Sequence, residues 1–180
     1  MLVNLSTRIL QISPRVSQIS KHRLPYAAIR TMATKPIPIV ICGRHSEIAK
    51  TVSECIGSDY EFVHFIPTPE AGVAELPLIL QGVMPEKIES NAGSGNIAGL
   101  AKAIILGGGY DEAEYQTMKA AVEAAQLKHH AVWLRKDEGR PSPPFNADYG
   151  RLLSVRVRDM LKQLEEEKKL DGTDGGMYLY

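Results

Sequence analysis

The chain has 180 residues, with 21 Lys and Arg against 21 Asp and Glu, 44% hydrophobic residues and two Cys. That composition excludes a wholly disordered chain, a collagen-like repeat and a disulfide scaffold, and it points to one globular domain in a reducing compartment. No apolar run reaches the roughly 18 residues of a membrane-spanning helix, and the balanced charge argues against a dedicated nucleic-acid binder.

The overall balance conceals two different segments. Arg8, Arg15, Lys21, Arg23, Arg30 and Lys35 all precede the first acidic residue, Glu47. Taking these six from the 21 basic residues leaves 15 against 21 acids, a net charge of −6 for residues 36–180. In the leader, Leu2, Leu5, Ile9, Ile12, Val16 and Ile19 recur every three or four residues and draw one apolar stripe down a helix. Pro14 kinks such a helix without removing the stripe. An amphipathic, Arg-rich, Ser-containing and acid-free N-terminus is the description of a mitochondrial transit peptide, so residues 1–32 are expected to direct the protein to the matrix. A start of translation at Met32 is the alternative, and it implies a cytoplasmic protein.

From residue 36 strands and helices alternate. Ile37 to Cys42 is a β-branched run without polar alternation, as in a parallel strand buried on both faces, and Gly43 closes it. Ser46 is expected to cap the next helix, with Ile48, Val52, Cys55 and Ile56 inward. Phe62 to Ile66 reads as a second strand. Thr68-Pro69-Glu70 is a strong helix start, followed by Val73, Leu76, Ile79 and Leu80 as the buried face and by Pro77 as an expected break or kink. Residues 83–101 read as an irregular loop of the length used for lids. Ala103 to Leu106 is a third strand, Asp111 to Gln126 a helix with Tyr115, Met118, Val122 and Ala125 inward, and Ala131 to Leu134 a fourth strand. After the Pro-rich connection at 141–144, Asp148 opens a long helix with Leu153, Val157, Met160, Leu161 and Leu164 on one side.

Four strands joined by right-handed helical crossovers give an α/β fold: a small doubly wound parallel sheet, strand order 2-1-3-4, with flanking helices over residues 36–170. Residues 171–180, rich in Gly and Asp and ending in Met177-Tyr178-Leu179-Tyr180, read as a flexible tail that packs back on the domain or on a neighbouring subunit.

Such sheets bind ligands beyond the carboxyl ends of their strands, at the switch point where crossovers pass to opposite faces. Gly43, Arg44, His45 and Ser46 follow the first strand, Thr68 follows the second, and Gly107, Gly108 and Gly109 follow the third. Glycine loops before helix N-termini offer amide donors to a phosphate, and Arg44 adds a planar fork. The other reading of Gly107 to Gly109 is a plain strand-to-helix turn. The catalytic candidates are Cys42 and His45, a thiol near an imidazole and a helix N-terminus, and Tyr110, which can donate a proton or stack on a ring. A Cys at a strand end is more commonly a small core residue. His129 and His130 are adjacent ahead of a strand, so they point to opposite faces, and no metal-ligand set is expected.

Gly93-Ser94-Gly95-Asn96-Ile97-Ala98 matches G-x-G-x-x-A letter for letter, but no convincing strand precedes it and a strand follows almost at once, so it reads as loop rather than a dinucleotide fingerprint. Strand two also ends without the acid that an adenosine ribose uses, which with Arg44 leans towards NADP if a dinucleotide binds. No P-loop, nucleophile elbow, phosphoacceptor acids or flavodoxin phosphate loop is present. Ile39-Val40-Ile41-Cys42-Gly43-Arg44, Ile104-Ile105-Leu106-Gly107-Gly108-Gly109-Tyr110 and Trp133-Leu134-Arg135 give residues 39–163 a general resemblance to small single-domain Rossmann-like nucleotide-binding proteins. The resemblance implies a nucleotide or dinucleotide ligand and a reductase role. Three functions are therefore expected to compete: binding of a phosphorylated ligand such as NADP, a non-catalytic interaction role that includes homo-oligomers, and a nucleotide-independent auxiliary enzyme of small-molecule metabolism.

Overall fold

The computed structural model describes residues 35–180. The amphipathic leader, with the transit-peptide and location readings that rest on it, lies outside them.

The three most apolar runs form the middle of the sheet. β1 (Ile37–Cys42), β3 (Ala103–Leu106) and β4 (Val132–Arg135) are covered on both faces, as their unbroken hydrophobicity requires. β2 (Tyr60–Ile66) flanks β1, and a fifth strand, β5 (Met177–Leu179), flanks β4. All pairings are parallel, in the order β2-β1-β3-β4-β5. From β1 the chain first steps one way to β2 and then returns past β1 to β3, β4 and β5. With right-handed crossovers, that reversal puts α1 (Ser46–Cys55) and α4 (Tyr149–Glu166) on one face, and α2 (Pro69–Ile79) and α3 (Glu112–Ala124) on the other. Two cores result. Ile39, Ile41, Ile105 and Leu134 meet Val52, Leu153, Val157 and Leu161, while Val40, Ile104, Leu106 and Trp133 meet Leu76, Ile79, Tyr115 and Met118.

The fifth strand corrects the expectation of a flexible tail. Trp133 N donates to Gly176 O (2.8 Å), Tyr180 N to Arg135 O (2.9 Å) and Asp137 N to Tyr180 O (3.1 Å). Tyr180 is buried, and its hydroxyl donates to Leu106 O at 2.9 Å. Of the two dispositions open to the tail, packing back on the domain is the one observed.

Helix boundaries and buried faces follow local chemistry with three differences. Thr68 caps α2 by accepting from Ala71 N (3.1 Å), and Asp111 with Glu114 forms a reciprocal capping box at α3. At α1 the cap position is His45, without a side-chain cap bond; Ser46 is already helical. Pro77 does not break α2, because it lies in the last turn and the helix ends at Ile79. The buried stripe of α2 also differs from expectation. Gly72, Glu75, Leu76 and Ile79 face inward and Val73 is exposed, because Glu75 has a buried partner in His64.

The irregular segment 83–101 is no free lid. Ser94 N donates to Phe62 O (2.9 Å) and Gly95 N to Val63 O (3.0 Å), so the Gly93-Ser94-Gly95 run lies along the outer edge of β2. Glu61 accepts from Ser94 Oγ (2.7 Å) and Asn96 Nδ2 (3.1 Å). These contacts cover a sheet edge that would otherwise be open to pairing. They also give the glycine pattern a structural role, in keeping with its reading as loop.

Candidate functional site

Where the β1 and β3 crossovers part, a cleft of about 300 Å³ opens between the strand ends and the α1/α4 layer. Ile41 and Ile105 form its floor, Ile48 and Val52 of α1 one wall, and Leu153 and Val157 of α4 the other. Tyr180 closes the inner end, and Phe145 and Tyr149 stand at the mouth. The rim is built by Gly43, Arg44 and His45 on one side and Gly107, Gly108 and Gly109 on the other. The two loops touch: Gly107 N donates to Cys42 O (2.8 Å), and a Cβ on Gly107 would stand 3.3 Å from that oxygen. Glycine here serves the approach of two backbones. Among the described residues, the Gly108 and Gly109 amides donate to no other group.

Seven of the residues singled out from sequence, Cys42 among them, therefore border one cleft, but their side chains differ in availability. The Arg44 guanidinium pairs with Glu114, its Nε donates to Gly109 O (3.2 Å), and it lies 5.0 Å from the Tyr110 ring centre. It acts as a clasp between the two rim loops. His45 is exposed, with its ring centre 6.1 Å from that of Phe145. Ser46 and Thr68 are elsewhere. Ser46 lines a neighbouring groove between α1 and β2, while Thr68 caps α2 and donates to Glu89 Oε2 (3.0 Å).

Cys42 and Tyr110 contribute side chains to the core under α2 and α3. Cys42 has no exposed surface, and burial, aided by the Glu75 carboxylate, raises its thiol far above the ordinary range. An activated thiolate does not form in such surroundings. The Tyr110 hydroxyl donates to Ile66 O (3.0 Å), and burial first, then the nearby Cys42, raises its pKa far beyond that of a working acid. Arg135 pairs with Glu112 and stacks 4.5 Å from the centre of Tyr115, and Lys136 sits 3.3 Å from Glu138. His129 makes a 2.7 Å contact with Ala101 O, and His130 is exposed beside the tail. Among the described residues no group of three or more His, Cys, Asp and Glu is arranged to hold a metal ion.

Sequence reasoning missed the aromatic part of the cleft. Phe145 follows two prolines, Tyr149 opens α4 and Tyr180 ends the tail; only an exposed aromatic in a Pro-rich connection was a signal visible beforehand. It also missed His64 and Glu75, which meet at 2.5 Å with both residues 2% exposed. Glu75 Oε1 accepts from Glu89 N (3.1 Å), so this pair fastens segment 83–101 to α2 on the face away from the cleft.

No protein-family model matches the chain, and no solved structure matches it. Over 152 residues, 81% of this chain and 91% of the relative, it is 32% identical to "Kojic acid related protein 6" of Aspergillus oryzae. At that identity and coverage, the chain belongs to the same family as this fungal protein.

Proposed function

We propose that the protein binds a compact small molecule in the cleft at the β1/β3 switch point. One observation carries this reading: an apolar, partly aromatic cavity of about 300 Å³ lies at the place where sheets of this strand order receive ligands. Its size is at the lower end of the roughly 300–1,000 Å³ of small-molecule sites, which favours one or two rings over a whole dinucleotide. Arg44, engaged by Glu114, is a poor phosphate fork, so the polar edge of the ligand is assigned to the Gly108 and Gly109 amides. The name of the fungal relative links that protein to kojic acid, in keeping with a small organic ligand. With Cys42 and Tyr110 withdrawn into the core, His45 is the titratable side chain best placed for chemistry on a bound molecule.

A thermal-unfolding screen of the full chain tests this, with kojic acid, inorganic phosphate, adenine nucleotides, FAD, NADH and NADPH as probes. A ligand at about 100 times its Kd adds roughly 2.7 kcal/mol, a shift of about 5–10 °C at this chain length. Stabilisation by a one- or two-ring compound, without a response to the dinucleotides, is the expected result. A selective response to NADPH would replace the reading with a dinucleotide one. A flat response to every probe would overturn it in favour of an interaction role.

A further inference from the structure

Phe145 is the most exposed large hydrophobic residue among those described, at 75%. Its position is held rather than loose. Pro141, Pro143 and Pro144 restrict the backbone leading to it. Arg156 Nη2 donates to Pro141 O (2.9 Å) at one end of the segment. At the other end Asn146 N donates to Pro144 O (2.9 Å), Asp148 N to Asn146 Oδ1 (3.0 Å) and Tyr149 N to Asn146 O (3.0 Å). Single exposed hydrophobic residues are ordinary, but one held rigidly at the mouth of a cavity invites a functional explanation.

The rings beside it supply one. Phe145 lies 5.1 Å from Tyr149 and 6.1 Å from His45, each pair tilted by 55°. Neither pair is stacked; the His45 and Phe145 planes are inclined at 55° where both residues line the cleft, and Gly108 and Gly109, whose amides are unused, line it too. A flat ring laid against this pair from the cleft side can meet both at the 4.5–7 Å centre distances that aromatic pairs prefer, and the apolar walls take its bulk. Because the prolines have already fixed the segment, little ordering cost opposes binding.

We propose that His45 and Phe145 form a preorganised aromatic slot, that the ligand of this cleft is a planar conjugated ring bearing a carboxylate or carbonyl edge, and that Phe145 determines this specificity. The inference rests on the ligand-binding reading above and sharpens it.

Matched acids test it: benzoate and 2-naphthoate against cyclohexanecarboxylate, which has the same edge without a π face. Each is titrated into the full chain by NMR while the His45, Gly108 and Gly109 resonances are followed. The two aromatic acids are expected to bind at least about tenfold more tightly than the saturated one, a difference of about 1.4 kcal/mol. Phe145→Ala should abolish that preference with an unchanged Tm, and Phe145→Leu, which keeps the bulk, should abolish it too; Phe145→Trp should retain it. Equal binding of all three acids at the cleft resonances, or a preference that survives in Phe145→Leu, would overturn the slot while leaving the ligand-binding reading intact. No response to any acid would also overturn the slot, and the screen with nucleotides and kojic acid then decides separately whether the cleft binds ligands at all.

Discussion

Gly93→Ala puts the reading of the glycine-rich segment to a direct test. Gly93 has φ +111, outside the range an L side chain adopts without strain. A Cβ there would stand 2.5 Å from Val63 O, 2.6 Å from Val63 C and 2.7 Å from His64 N. All three are backbone atoms of β2, so nothing can rotate away, and the segment must lift off the strand edge. The strain is about 1–3 kcal/mol, and loss of the hydrogen bonds from Ser94 and Gly95 adds about 1 kcal/mol each, giving a destabilisation of about 3–5 kcal/mol. At this chain length that is a fall in Tm of about 6–20 °C. Gly95→Ala is the internal control. Its φ is +72, and the nearest atom to a new Cβ is Met84 Cε at 3.8 Å, so the cost is about 1–2 kcal/mol of backbone strain alone. Urea denaturation gives both values, and amide exchange at Ser94 and Gly95 reports whether the edge contacts survive. Equal, small effects of the two substitutions would refute the placement of this segment on β2.

Two further outcomes follow from burial. In the native protein a thiol reagent should modify Cys55, which is partly exposed, while Cys42 reacts only after denaturant is added; rapid native labelling of both would show that Cys42 is reachable and restore it as a nucleophile. His129 carries a pH dependence whose sign is fixed by its surroundings. Burial first, then the charges of Lys102 and His130, holds its pKa below the ordinary imidazole value, against the opposing contact with Ala101 O. Below about pH 6.5 the unfolded chain takes up a proton that the folded ring resists, so stability falls with pH until the folded-state pKa is passed, and above that range the ring adds no slope. His129→Gln should flatten that part of the curve in urea melts run from about pH 7.5 to 5; a slope identical to the parent's would locate the dependence elsewhere.

Much of the cleft was legible because its rim is made by strand ends. Ile37 to Cys42 and Ala103 to Leu106 are apolar throughout, and such runs form central parallel strands whose carboxyl ends converge at the switch point. That places Gly43 to His45 beside Gly107 to Gly109 before any coordinate is known. The availability of each side chain was not legible. Whether Cys42 faces the cleft or the opposite core depends on strand phase and on which helix covers which face. Arg44 reads as a phosphate fork until Glu114, 70 residues away, is found against it.

The sequence by itself determined the α/β class, the helix starts at Thr68 and Asp111, the first four strands in their order, and the end of the sheet where a cleft must lie. These follow from periodicity, caps and the handedness of crossovers, all local or general. Only the tertiary structure decided the rest. β5 is three residues long, too short to show a period, and it exists because β4 offers a free edge. Glu75 lies in an otherwise apolar stretch and is buried because His64 meets it across a strand-helix contact. Phe145, Tyr149 and Tyr180 come from a loop, a helix start and the tail, and converge on Ile41 and Ile105 only once α4 has crossed the sheet. Long-range pairing of this kind leaves no spacing in the chain, because the residues that meet are set by how the layers pack.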